Sequence, residues 1–394
     1  MYSTALPLTL PPLTPPQRQN LLSDARLLSL HDAFAAVADP RSCHGRRYDL
    51  PFLLTCFVAA LLCNCNHSEA VGQWCHAHAL LLCRLLGPRR YVTPTGALYR
   101  WLFPQLDVLA LERVLAVWVQ ATSVAKPDDP LALDGKTLRG ARTGTESAPH
   151  LLAFCTHQSH ETLLQVAVEE KTNEIPVAQA LLPTLPLAGR VCRADALHTQ
   201  VAFLRRVHEQ QADTVLLVKE NQPGLLEDLV TYFTDSAARC LQAETWDRHR
   251  GRTEVRRLKV STELTTYLSA HWPFLAQVGQ LTRMITTKGH TRHEVVYLIT
   301  SLSPTAASPH RLLELLRGHW SIENSLHYVR DVTFGEDRSR IRTGAAPQVM
   351  AALRNVTITL IHRSGSSQIA TSRRHFAFQP HLALDLVLQR GTSS

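Results

Sequence analysis

Three acidic residues stand where a carboxylate is costly unless something holds it. Asp134 closes the apolar run of "LALDGKTLRG", Asp195 closes that of "VCRADALHTQ", and Glu323 lies in "HWSIENSLHYVR", which has helical spacing. A carboxylate at the end of a buried strand loses hydration and needs a partner. Two such strands lying side by side bring their carboxylates together, and a third from a helix across that edge completes an acidic cluster. The cluster repels itself unless cations bind. Carboxylate oxygens with open positions for water and phosphate suit Mg²⁺, with Mn²⁺ as a substitute. Two such ions activate a water and stabilise a leaving 3′-oxygen in phosphodiester cleavage. Lys136, two residues past Asp134, is set to neutralise a scissile phosphate. Each residue also has a plainer account: Asp134 begins an Asp-Gly turn, Asp195 is an N-cap for a helix starting at Leu197 or beyond, and Glu323 faces solvent.

The elements that position these residues follow from periodicity. From Leu21 to about Thr122 the pattern is helical; "DLPFLLTCFVAALLC" reads as a buried helix, and "SEAVGQWCHAHALLLCRLLG" ends at a Gly-Pro stop. Between Pro130 and Asn221 the strands "LALDG", "HLLAFCTH" and "TLLQVAVEE" come first. The helix "VAQALLPTL", the strand "RVCRADA", the helix "HTQVAFLRRVHEQ" and the strand "DTVLLVKEN" follow. This order predicts a mixed α/β sheet opened by a meander, with strands one and four able to lie side by side. A helix from Pro223 leads into the β-rich runs "RTEVRRLKVST", "LTRMITTKG" and "RHEVVYLITSL". A long helix begins near Pro309, and another runs through "APQVMAALRNVTITLIHRSG". The expected partition is a disordered proline-rich tail over 1–20, a helical domain over 21–125, an α/β catalytic domain over 126–365 with a β-rich insertion at about 223–305, and a C-terminal tail over 366–394.

Composition narrows the class. A chain of 394 residues, 45% hydrophobic, can bury two cores. A formal charge of +8 favours an anionic partner, nucleic acid before membrane. Nine cysteines, an odd count without a secretion signal, point to reduced thiols and a cytoplasmic location. The longest apolar run, "PFLLTCFVAALLC", is too short to span a bilayer, so no membrane is expected. The run from Cys63 to Cys83 also holds Cys65, His67, Cys75, His76 and His78. It has no Cys-x-x-Cys pair and reads as buried thiols in a helical core rather than as a zinc site.

The words "LDGKTLRGA", "ADALHTQ", "VKENQP", "HWSIENSLHYVRDVTFGEDRSRIR" and "ALRNVTITLI", with the leader "DPRSCHGRRYDLPFLLTC", occur in this order. From about Phe34 to Leu360 the chain resembles the transposases of the ISAs-type, or H-repeat-associated, bacterial insertion sequences. The resemblance implies an RNase H-like core with a DDE triad, here Asp134, Asp195 and Glu323, and two divalent ions. It implies an enzyme that cuts insertion-sequence ends and joins the 3′-hydroxyls to target DNA. Terminal inverted repeats and target DNA are then the partners, and a homodimer on DNA is expected, because two ends must be held together and two-fold pairing is the commonest assembly. A DNA-binding protein that no longer transposes, and a site-specific nuclease without strand transfer, are the alternative readings. Two places depart from the pattern. Glu220 takes the glycine position of "KGNQ", and the Tyr-Arg-Glu-Lys signature of broader relatives reads Leu316, His319, Glu323 and Arg330. His319, Glu323, His327 and Arg330 are spaced to share one helix face.

The basic segments read as contacts to the DNA backbone. "RHRGRTEVRRLK" carries Arg250, Arg252, Arg256 and Arg257 along an expected hairpin; "RSRIR" carries Arg338, Arg340 and Arg342; Arg330 precedes it. Such contacts give affinity and salt dependence with little base readout. Trp246 and Trp320 are expected to pack rather than to stack on an extruded base.

Overall fold

Asp49 and Pro51 start the first long helix, α1 (Leu50–Leu62). The carboxylate accepts the Phe52 N–H at 2.8 Å, and the proline stands where no N–H is needed. Then come α2 (Ser68–Ala77), α3 (Ala79–Leu86), α4 (Gly96–Leu102) and α5 (Val108–Ala121). The middle of the chain forms β1 (Leu131–Thr137), β2 (His150–Thr156), β3 (Thr162–Val168), α6 (Glu174–Leu181), β4 (Val191–Ala194), α7 (Val201–Glu209) and β5 (Asp213–Val218). It continues through α8 (Pro223–Thr234), β6 (Leu241–His249), β7 (Arg252–Ser261), β8 (Gln277–Thr287) and β9 (His290–Thr300). Last are α9 (Pro309–Ile322), a π-helix at Val329–Thr333, and the helices α10 (Ala346–Arg363), α11 (Ile369–Phe378) and α12 (Pro380–Leu388). The computed structural model describes residues 28–44, 46–87, 93–142, 147–168, 173–235, 237–249, 251–322 and 326–389. The proline-rich segment 1–20, Arg250 and Glu323 lie outside them, and His319 and Trp320 are described by their backbone alone.

The chain divides into two units, one of Met1–Ala125, Gly135–Glu174 and Glu323–Ser394, the other of Lys126–Asp134 and Ile175–Ile322. In the first, every residue of α1 but Pro51 is buried. A helix apolar all round needs neighbours on every side, and α2, α10, α11 and α12 pack against it. β2 and β3 pair antiparallel, and α5 lies against β3 and α10. The expected C-terminal tail is instead the helix pair α11–α12. Ala383, Leu384 and Val387 are buried, and Arg373 donates to the Leu61 carbonyl at 2.8 Å. Apolar residues at helical spacing in "HLALDLVL" give that segment a face to bury. Cys56, Cys63 and Cys75 are buried thiols in this helical core. Among the described residues no helix is long and apolar enough to cross a membrane.

In the second unit the strands run β1-β4-β5-β9-β8-β7-β6. β1, β4 and β5 are parallel, and the remaining neighbours are antiparallel. Parallel strands reached through helices, continued by antiparallel ones, make the mixed α/β sheet expected above. The β-rich segment extends this sheet: β9 pairs with β5, with Val215 opposite Thr300. Leu258, Leu281 and Leu298 from those strands bury against Leu312, Leu315 and Leu316 of α9.

Candidate active site

The register of the two first parallel strands decides where the aspartates stand. Leu131 is level with Cys192 and Ala132 with Arg193, so two steps further along each chain Asp134 comes level with Asp195. Neighbouring strands lie about 4.8 Å apart, and residues two apart share a face. Asp134 and Asp195 are therefore on the sheet face of Arg193, at the carboxyl ends of adjacent strands, and both are half-buried. Asp195 also caps the turn Ala196–His198 by accepting the Leu197 N–H at 3.1 Å. Capping and presentation at the strand end coexist in one side chain.

Arg193 shows what covers that face. It is 1% exposed, and its guanidinium donates to the Leu315 carbonyl at 2.6 Å and the Leu316 carbonyl at 3.1 Å, both in α9. Burial lowers its pKa to about 9. The helix that leads into Glu323 is thus tied to the face carrying the two aspartates. The loop after β5 holds the Asp195 turn: Asn221 donates to the Ala196 carbonyl at 2.7 Å, and Gln222 to the Thr199 carbonyl at 2.8 Å. Asn221 and Gln222 are therefore a clamp, which the sequence offered as part of a motif without a role, and Glu220 beside them is exposed. Arg193 carried no sequence signal beyond standing two residues before Asp195. Half-buried carboxylates level on one face form the hard oxygen donor set that Mg²⁺ takes. Among the described residues no three His, Cys, Asp or Glu side chains form a metal site, and Glu323 is not among them.

"Asp-Gly" is not a turn here, because β1 runs through it to Thr137. A β-carbon on Gly135 would meet Glu174 Oε1 at 2.6 Å and His150 Nε2 at 2.7 Å. Those two side chains bond each other at 2.6 Å, and His150 Nδ1 meets Thr137 Oγ1 at 2.9 Å. The glycine admits this pair against the strand. Lys136 is committed too: its ammonium donates to both Asp331 oxygens, at 2.6 and 2.7 Å. Burial raises the Asp331 pKa, with the lysine opposing it.

The expected DNA-contacting arginines differ in their surroundings. Arg330 is 1% exposed and donates to Glu336 at 2.8 Å. A covered guanidinium does not reach a phosphate while this packing stands, so the expected contact gives way to a structural role. Arg330 itself lies in the π-helix Val329–Thr333. In the β6–β7 hairpin Arg256 pairs with Glu254 at 2.8 Å and with Asp247, Arg252 pairs with Glu254 at 3.0 Å, and Arg257 pairs with Glu244. Trp246, expected to pack, is 66% exposed. Arg338, Arg340 and Arg342 are exposed, and Arg342 Nε donates to the Gly140 carbonyl at 3.2 Å. Gly140 also lets the backbone before Arg340 come close, since a β-carbon there would meet the Ser339 carbonyl at 2.5 Å.

Comparison with known proteins adds the following. The family model described as "Transposase DDE domain" matches residues 125–360, and that described as "DDE_Tnp_1-associated" matches residues 31–119. A protein described as putative transposase YncI, from Escherichia coli O157:H7, is 25% identical over 340 residues, 84% of this chain and 87% of that protein. An H repeat-associated putative transposase, YhhI of Escherichia coli strain K12, is 26% identical over 256 residues, 62% of this chain and 67% of that protein. A solved piggyBac transposase synaptic complex with hairpin DNA aligns over 95% of this chain and 81% of its own, at 12% identity and a TM-score of 0.42.

Proposed function

The chain belongs to the DDE transposase family, and on that premise we propose that it cuts the ends of an insertion sequence and transfers the 3′-hydroxyls to target DNA. The observation that carries the reading is the level placement of Asp134 and Asp195 on adjacent parallel strands. Glu323, next in sequence after Ile322 of α9, completes the triad in this reading. Asp134, Asp195 and Glu323 would hold two Mg²⁺ ions, which would supply charge stabilisation at the phosphate and the leaving 3′-oxygen. The protein's own part is positioning. Asn221 and Gln222 fix the turn that follows Asp195, and Arg193 fixes α9 over the same face. Arg338, Arg340 and Arg342, exposed at every second position, hold the DNA backbone through charge. Two subunits grip the two ends.

The test supplies the protein with DNA bearing the inverted repeats that flank its gene, together with a target plasmid and Mg²⁺. The expected products are 3′-end cuts at the repeat boundary and repeat ends joined to the plasmid. Cuts without any joined product would make the protein a nuclease. Binding without cuts would make it a DNA-binding protein only.

A further inference from the structure

Remote in sequence from the aspartates, the N-terminal helical segment carries a cavity of about 370 Å³ between the loop after Pro40 and the α4 helix. That volume lies within the range of about 300–1,000 Å³ typical of ligand sites. Its lining includes Arg41, His44, Arg46, Arg47, Tyr48 and Trp101. Two of the three arginines here meet the Asp39 carboxylate. Asp39 takes Arg41 at 2.7 Å and Arg46 at 3.6 Å, while Arg47 is exposed with no ion pair among the described residues. Trp101 presents an indole that is 53% exposed. Large exposed indoles are unusual, because burial is worth so much to an aromatic ring.

Tyr48 supplies the independent sign of a ligand. The residue is 7% exposed, and its ring stacks on Phe52 with centroids 5.3 Å apart. Its hydroxyl is buried without a hydrogen-bond partner among the described residues, and the side chain lines the cavity. A buried hydroxyl left unsatisfied is costly, so such groups are normally bonded. A ligand atom in the cavity would satisfy it.

We propose that this cavity binds one unpaired nucleotide of a DNA strand. Its phosphate rests on Arg47 and Arg46, its base stacks on Trp101, and an acceptor on the nucleotide takes the Tyr48 O–H. The choice of DNA rests on the transposase reading above. The choice of an unpaired nucleotide rests on the indole, since a base still inside a duplex has no free face to offer. The site thus recognises a frayed or single-stranded tail at the DNA end, through contacts that tolerate any base.

The test measures binding of the full chain to a blunt duplex and to the same duplex with a short single-stranded tail. Wild-type protein should prefer the tailed duplex. Trp101→Ala should lose that preference by about tenfold, the range of base–aromatic stacking, and leave blunt-duplex affinity unchanged. Tyr48→Phe, which keeps the ring and its packing, should lose several-fold on the tailed duplex alone. Equal wild-type affinity for both duplexes, or equal losses on both in the variants, would overturn the site. Displacement of the tail by inorganic phosphate as readily as by a mononucleotide would reduce it to an anion site and overturn the nucleotide assignment. Failure of wild-type protein to bind either duplex is a different result: it removes the DNA reading itself.

Discussion

Asp134→Asn lowers cleavage of end DNA in Mg²⁺ by about 10³-fold and leaves affinity for that DNA nearly unchanged. The substitution keeps the size of the side chain and a hydrogen-bonding oxygen, and removes only the negative charge. Charge stabilisation in a metal-assisted displacement amounts to several kcal/mol, and each 1.36 kcal/mol is tenfold in rate. DNA affinity comes from cations and phosphates, so it does not follow. Asp195→Asn should match it, because an asparagine oxygen can still accept the Leu197 N–H and keep the turn that Asp195 caps. The double variant should be scarcely slower than either single one, since the two groups act as a unit. Nicking at the wild-type rate by Asp134→Asn would leave Asp134 an ordinary strand-end residue.

The second large effect is on stability. Glu336 is buried, with Arg330 Nε at 2.8 Å and Arg354 Nη1 at 2.9 Å. Glu336→Ala strands two buried guanidiniums without a counter-charge, and breaking such a pair costs about 3–5 kcal/mol. The Tm of the unit should fall by roughly 10 °C. Replacing Arg330, Glu336 and Arg354 together by apolar residues of similar volume should cost less than Glu336→Ala alone. The network also sets a pH limit. Burial pushes the Glu336 pKa up, but Arg330 and Arg354 outweigh it and hold the carboxyl below its ordinary value. A depressed carboxyl pKa adds stability that is fully present above the unfolded value, about 4.3, and is lost as pH falls through the folded one. Wild-type protein should therefore lose stability in acid below that value more steeply than Glu336→Gln does. An unchanged Tm in Glu336→Ala would mean that the arginines find water or other partners.

Much of the architecture was legible because its signals are local. "LALDG" and "RVCRADA" each mark a strand, and once both are parallel neighbours the level placement of Asp134 and Asp195 follows from the register. What was not legible depends on distant pairing. The β-rich segment read as an insertion in the α/β domain, and nothing near it in sequence announces that β9 pairs with β5, with Val215 opposite Thr300. Lys136 looked free for a phosphate, because its partner Asp331 is 195 residues distant. The hairpin arginines looked free although "LQAETWDRH" holds Glu244 and Asp247, which meet Arg257 and Arg256, and β7 itself holds Glu254; reading β6 opposite β7 would have placed Glu244 across from Arg257. Arg330 read as a phosphate contact, and nothing in the local pattern announces that it is buried against Glu336.

Everything in the functional account turns on whether the three carboxylates hold the same ions. Anomalous diffraction from crystals of the protein with Mn²⁺ and end DNA locates those ions directly. Strong peaks are expected within bonding distance of Asp134, Asp195 and Glu323 together, beside the scissile phosphate. Peaks elsewhere, or Glu323 far from both aspartates with its carboxylate in solvent, would contradict it.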